Sequence, residues 1–306
     1  MLPESERCTL CPRACGVRRG PESGAGFCGM GTLPVVARAA PHFWEEPCIS
    51  GSSGSGAVFF SGCTLRCVYC QNYDISAGGR GKRITVERLA EIYRELEAVG
   101  VHNINLVNPT HFVPAILESF QIYRPKVPVV YNSSGYERLD TLRRLEGWVD
   151  VYLPDLKYAS AEKAGRYSAA PDYFAHASAA VAEMARQTGP AVFDGDGLLR
   201  RGTVVRHLIL PENTNDSIRL LKWLDEQLSD RVLVSLMGQY LPCGRAAEFP
   251  ELARRITRRE YRKVEDVLCQ LRLDGFVQQL SSARKDYIPA FDLEGVEHPG
   301  TSDEEA

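Results

Sequence analysis

The 306-residue chain reads as an α/β protein, a partial (β/α)6 TIM-type barrel with a small irregular cysteine-rich N-terminal segment. Three observations give that reading. From Ala57 onward, short apolar or alternating runs take turns with longer amphipathic stretches; this is the order of a parallel sheet covered by helices. About six such units fit into roughly 180 residues, fewer than the eight of a full barrel. Before Ala57 the periodicity fails: residues 1–30 are rich in Gly, Pro and Arg and carry Cys8, Cys11, Cys15 and Cys28, a composition that builds no core of its own. The expected division is a cysteine-rich metal-binding segment at 1–50, the barrel at 51–290 and a disordered acidic tail at 291–306.

Composition narrows the class. Hydrophobic content of 44% and charged content of 25% suit a globular protein. The formal net charge of −3 gives no general attraction to nucleic acid or to an anionic membrane. No run of 18 apolar residues marks a membrane helix, and MLPESERCTL lacks the basic region and apolar core of a secretory signal, so a cytoplasmic location is expected. Ten cysteines, eight of them within the first 70 residues, then point to metal ligation in a reducing compartment rather than to disulfides.

Taken in order, SGSSGSG at 50–56 lacks the Gly-Lys-Ser/Thr ending of a phosphate loop and reads as a connector. Ala57–Phe60 is the first strand. Thr85–Val99 is a helix, with Leu89, Ile92, Tyr93, Leu96 and Val99 on one face and Glu87 in the first turn. His102–Val107 alternates as a strand, and Phe112–Phe120 is a helix with Pro114 in its first turn. Pro128–Tyr131 is the third strand, Arg138–Leu145 a helix, and Val149–Leu153 the fourth strand. Helices at Ala161–Tyr167 and Tyr173–Gln187 precede a strand at Thr203–Leu210. A helix at Ser217–Leu228, a strand at Val232–Leu236 and a charged helical region at Arg254–Leu273 complete the pattern. The basic run Ala253–Lys263 reads as a solvated helix face.

The chemistry concentrates in Phe59–Ser76, FFSGCTLRCVYCQNYDIS, directly after the first strand. Cys63, Cys67 and Cys70 are spaced Cys-x3-Cys-x2-Cys. Three thiolates on one loop hold three irons of a cubane cluster and leave the fourth open, whereas a structural zinc site closes with four ligands. A zinc loop or buried structural thiols is the competing reading. Tyr69 fits beside a cluster and a flat ligand. Cys8, Cys11, Cys15 and Cys28 form a closed set of four that suits zinc or an auxiliary iron–sulfur cluster equally. Cys48, Cys243 and Cys269 read as isolated thiols. In barrels of this type functional residues stand at the C-terminal ends of strands. An arginine inside the apolar strand TVVRHLILP, Arg206, needs an anionic partner there, while its neighbour His207 faces the other way and reads as structural.

GCTLRCVYCQN resembles the cluster motif of the radical S-adenosylmethionine (SAM) enzymes. More narrowly it is similar to the pyruvate formate-lyase activating enzyme family and to its activase-like relatives with an N-terminal cysteine segment. The resemblance implies a [4Fe-4S] cluster, SAM, and a flavodoxin- or ferredoxin-like electron donor. It also implies reductive cleavage to a 5′-deoxyadenosyl radical that takes a hydrogen atom from the substrate, with activation of a glycyl radical enzyme as one outcome. Radical modification of a small molecule or of another protein residue is the alternative; a non-enzymatic metal-binding interaction module is the alternative of another class. In NPTHF, Asn108 and Thr110 stand where most such enzymes carry a Gly-Gly-Glu loop. In YNSSGY, Asn132 replaces the SAM-contacting acid of the activases. Asp155-Leu156-Lys157 matches the family's Asp-Leu-Lys, which places Lys157 against the methionine carboxylate; Arg206 matches a SAM-contacting arginine. Gln239 and Tyr240 occupy the position of a SAM-contacting histidine.

Overall fold

The computed structural model describes residues 7–278 and 289–297. Its ten strands are β1 (Val35–His42), β2 (Ser55–Phe60), β3 (Lys82–Arg83), β4 (Ile104–Val107), β5 (Val129–Ser133), β6 (Val151–Pro154), β7 (Val192–Phe193), β8 (Leu199–Leu208), β9 (Leu233–Met237) and β10 (Gly275–Val277). They form one open sheet in the order β10-β9-β8-β6-β5-β4-β2-β1-β3, with β7 paired to β8. From β2 to β10 along that order every pairing is parallel, as the expected β–α alternation requires. β1 and β3 add an antiparallel edge.

The helices are α1 (Pro47–Ser50), α2 (Tyr73–Ser76), α3 (Val86–Ala98), α4 (Val113–Ile122), α5 (Leu139–Arg143), α6 (Ala161–Ser168), α7 (Tyr173–Thr188), α8 (Thr214–Leu228) and α9 (Arg258–Leu268). Side-chain caps start three of them: Thr85 accepts from the Arg88 amide, Ser160 from the Lys163 amide, and Thr257 with Glu260 forms a reciprocal capping box. That box shortens the helix expected over Arg254–Leu273: it begins after Thr257, and Arg254 instead donates to Glu260 at 2.9 Å.

Alternation along the strands separates two faces. Val58, Phe60, Ile104, Leu106, Val129, Tyr131 and Tyr152 pack outward with the apolar faces of α3 and α4. Val205, Val234 and Leu236 do the same with α8 and α9. On the inner face Val130, Val151, Leu153 and Val204 pack against Cys48 and Ile49 of α1. The sequence reading placed no element between residue 31 and Ala57, and the structure adds two there. β1 and α1 form a hairpin arm that pairs with β2 and fills the floor of the sheet's inner side. VVARAAPH hid this because its alanines and Arg38 give no clear alternation. Only the pairing with β2 makes it a strand.

The cysteine-rich segment is ordered by carbonyl contacts rather than by a core. Arg13 donates to Thr64 O (2.8 Å), Ser168 O (3.0 Å) and Ala169 O; Arg19 donates to Met30 O, His111 O and Gly31 O. Gly62 has φ +79°, and a Cβ there would stand 2.9 Å from Cys28 O, so the segment lies directly on the base of the Cys63 loop. At the other end, 291–297 is docked, contrary to the expected disorder. The Ala39 amide donates to Glu294 O (2.8 Å) and the Leu293 amide to Ala37 O (3.1 Å). The guanidinium of Arg88 donates to Val296 O and Glu297 O, and Val296 is buried. Residues 298–306 lie outside the described residues. Among the described residues no helix is long and apolar enough to cross a membrane.

Candidate active site

The C-terminal ends of the parallel strands open into a cavity of about 220 Å³. The loop after β2 contributes Cys63, Cys67, Tyr69 and Cys70; the ends of β4, β5, β6, β8 and β9 contribute Asn108, Asn132, Asp155 with Lys157, Arg206, and Gln239 with Tyr240. Register explains the convergence. Phe59 lies beside Val107, Val107 beside Asn132, Asp155 beside Arg206, and Arg206 beside Ser235, so these inner residues stand in neighbouring rows. Asn108 takes φ +60°, a left-handed conformation that asparagine tolerates. Its amide nitrogen donates to Gly62 O, which ties the β4 end to the cysteine loop.

A charge ladder crosses the cavity wall. The ammonium of Lys157 donates to Asp155 Oδ2 at 2.6 Å. Arg206 Nε donates to Asp155 Oδ1 at 3.1 Å, its NH1 to Glu45 Oε2 at 3.1 Å, and its NH2 to Asn132 Oδ1 at 2.5 Å. Glu45 also accepts from the amides of Asn105 (3.0 Å) and Asn132 (3.1 Å). Burial would push the Asp155 carboxyl up, but Lys157 and Arg206 outweigh it and hold it below its ordinary value. Burial would likewise lower Lys157, yet Asp155 keeps it raised. Glu46, fully buried beside Glu45, is pushed up by desolvation against the pull of Arg206, which favours its neutral form. The anion that Arg206 requires is thus supplied by the protein, by Asp155 and Glu45. Lys157 carries three donors, so Asp155 leaves it capacity for a further acceptor.

The three loop thiols suit a cluster. Cys63 and Cys67 are buried and Cys70 partly so. Burial pushes Cys67 up against the opposing charge of Lys157, and pushes Cys70 up to about 12; a bound cation reverses that logic and favours thiolates. Each sulfur has a donor: Leu65 N–H at 3.3 Å from Cys63, Ser168 Oγ at 2.9 Å from Cys67 and Ser76 Oγ at 3.4 Å from Cys70. Tyr69 stands edge-on to Tyr240, ring centroids 6.0 Å apart.

Among the described residues no three His, Cys, Asp or Glu side chains are placed to hold a single metal ion. A cubane spreads its thiolates over separate corners and needs no such cage, so Cys63, Cys67 and Cys70 fit it. Of the other expected residues, Thr110 is not part of the cavity lining: its hydroxyl donates to the buried Glu137 at 2.6 Å. His207 donates through Nδ1 to Leu156 O (2.6 Å) on the outer face. Glu45, Glu46, Ser76 and Ser168 escaped the sequence reading. A signal for the first two was present: Arg206 demanded an acid, and WEEPC offers two side by side.

A model of the Radical SAM superfamily matches residues 57–224, more than half of the chain, from within β2 to beyond β8. The chain belongs to the radical SAM superfamily. That family implies SAM and a [4Fe-4S] cluster as cofactors. An uncharacterized protein of Methanocaldococcus jannaschii is 28% identical over 278 residues, covering 88% of this chain and 76% of that protein. Among solved structures, Streptococcus suis SuiB bound to S-adenosylmethionine is similar over 72% of this chain and 49% of its own, with 13% identity and a TM-score of 0.46. A domain of a pyruvate-formate lyase-activating enzyme from Bacteroides vulgatus is similar over 56% of this chain and 91% of its own, with 9% identity and a TM-score of 0.40. The chain therefore spans about half the length of SuiB.

Proposed function

We propose that this radical SAM enzyme cleaves SAM reductively at a [4Fe-4S] cluster held by Cys63, Cys67 and Cys70. One observation carries the reading: the three thiols of the Cys-x3-Cys-x2-Cys loop face the same cavity as the Lys157–Asp155–Arg206–Asn132 ladder. The reduced cluster, when bound, supplies the electron that splits the sulfonium and so provides a 5′-deoxyadenosyl radical for hydrogen-atom abstraction. Lys157 holds the methionine carboxylate through its remaining donors. Asp155 keeps Lys157 charged and, with Arg206, fixes its position. Asn132 and Asn108 offer amide groups to SAM, and Tyr69 walls the pocket beside the loop. The buried strand residues under the ladder exclude water from the reacting centre.

The finer reading is drawn from the likeness of GCTLRCVYCQN to the activating enzymes: the hydrogen atom comes from a backbone glycine of a partner protein. A flavodoxin- or ferredoxin-like donor is part of the same proposal, and Arg66, exposed between Cys63 and Cys67, suits an acidic one. So is a second metal at Cys8, Cys11, Cys15 and Cys28, either zinc or an auxiliary iron–sulfur cluster. The decisive experiment measures 5′-deoxyadenosine after anaerobic reconstitution and reduction. Product is expected from the unsubstituted protein and none from Cys63→Ala, Cys67→Ala or Cys70→Ala; product from all three variants, or from none of the proteins, overturns the assignment. A persistent backbone radical by electron paramagnetic resonance, on mixing with a partner, separates glycyl activation from modification of other substrates. Iron, sulfide and zinc content, with and without the N-terminal cysteines, decides the second site.

A further inference from the structure

Two of the three sulfur donors in the cavity are local. Leu65 and Ser76 lie within a few residues of the cysteines they serve. The third comes from far along the chain: Ser168, the last residue of α6, reaches Cys67 Sγ at 2.9 Å. Its oxygen lies 2.8 Å from the Tyr158 hydroxyl, which lies 2.6 Å from the Tyr69 hydroxyl. Cys67, Ser168, Tyr158 and Tyr69 are all buried, so no bulk water competes for these groups. A thiolate only accepts. If Ser168 spends its single proton on the sulfur, its oxygen accepts from Tyr158, and Tyr158 in turn accepts from Tyr69. The protons are thereby ordered in one direction, from Tyr69 through Tyr158 and Ser168 to Cys67. Each link in such a chain polarises the next, and the bond that gains is the one to sulfur.

We propose that Ser168, polarised by Tyr158 and Tyr69, is a positioning residue that raises the reduction potential of the cluster through Cys67. The inference rests on Cys63, Cys67 and Cys70 holding that cluster. Reduction adds negative charge that spreads onto the cysteine sulfurs. A donor aimed at sulfur therefore stabilises the reduced form more than the oxidised one, and hydrogen bonds to the sulfurs are among the levers that set cluster potentials. The relay begins at Tyr69, in the cavity wall, and ends on the sulfur. Nothing in it depends on the N-terminal cysteines.

The test is a potentiometric titration of the full-length, anaerobically reconstituted protein. It follows the reduced-cluster paramagnetic signal that changes when SAM is added. Ser168→Ala removes the donor. Tyr158→Phe keeps the ring against Tyr167 and Tyr173 and removes only the oxygen that feeds Ser168. Both variants are expected to become harder to reduce. Ser168→Ala should shift the reduction equilibrium about tenfold, about 59 mV for one electron, and Tyr158→Phe by less in the same direction, with iron and sulfide content unchanged. An unchanged or higher midpoint in both overturns the proposal. Should Ser168→Ala fail to hold iron, Tyr158→Phe decides alone, since it keeps the Ser168 hydroxyl on Cys67. A missing SAM-responsive signal in the unsubstituted protein instead removes the cluster assignment on which the proposal stands.

Discussion

At the scale of single residues, the ladder is expected to matter for stability and for the proposed SAM binding. Arg206 separates Asp155 from Glu45. Arg206→Ala leaves two half-buried carboxylates, Asp155 held by Lys157 alone and Glu45 by the Asn105 and Asn132 amides, and is expected to cost about 2–3 kcal/mol, read as a fall in the urea midpoint. Lys157→Ala leaves Asp155 still paired with Arg206, so its stability cost should be smaller. Its main effect is expected on SAM, with binding about tenfold weaker by calorimetry on the reconstituted protein, the loss of roughly one charge-assisted hydrogen bond. Glu137 gives the pH dependence. Burial raises its carboxyl to about 7 from an ordinary 4.5 against the bonds from Thr110, Ser133 and Tyr131. The folded state therefore holds this proton more tightly than the unfolded chain. The stability this contributes is full below pH 4.5 and is lost as pH rises through 7, on the order of 3 kcal/mol. Glu137→Gln keeps an acceptor for Thr110 and should flatten that slope, which denaturant titrations at pH 5 and pH 8 would read as about equal stability at the lower pH and a more stable variant at the higher.

At the scale of elements, the hairpin arm of β1 and α1 does two jobs. Ile49, buried to 1% exposure, packs with Cys48 under the inner face, and Glu45, just ahead of α1, holds Arg206. Ile49→Ala is expected to cost about 2–5 kcal/mol and to loosen Glu45, so its thermal destabilisation should come with weaker SAM binding. A surface helix substitution has no such second effect. Thr257→Ala breaks the α9 capping box and should lower stability by about 1 kcal/mol while SAM binding stays the same. The contrast between the two variants measures how far the arm serves the cavity as well as the core. The arm was illegible in the sequence because its strand is rich in alanine and its helix is one turn long. Neither has a period to read, and both exist through contacts made with β2 and the inner face.

At the scale of the whole molecule, the cysteine-rich segment and residues 289–297 both brace the β2–β1–β3 edge of the open sheet. The N-terminal segment sits on the cysteine loop through Arg13 and Gly62. The segment 289–297 pairs with β1 and is gripped by Arg88 on α3. Val296→Asp buries a carboxylate in the apolar cluster that the Val296 side chain packs in. It is expected to release the segment, seen as faster exchange of the Ala39 amide, whose acceptor is Glu294 O, and as proteolytic cleavage after Val277. The open sheet takes β1, from before residue 50, onto its edge beside β2. A strand added antiparallel to the edge carries no signature that separates it from a loop, because its partner lies beyond a turn.

The sequence by itself determined the parallel α/β frame, the cluster loop at the end of its first parallel strand, and the row of polar residues at the strand ends. The frame and the place of the cysteine loop follow from local periodicity and spacing, which the chain carries along its own length; the polar residues were singled out by their match to the family's motifs. Only the tertiary structure decided that Thr110 turns to Glu137 rather than to the cavity, that Arg206 finds its anions in Asp155 and Glu45, and that Ser168 reaches Cys67 across 101 residues. Each of these depends on which side chains a buried polar group meets once water is removed. That choice is made by packing between distant segments and leaves no trace in the spacing of either one.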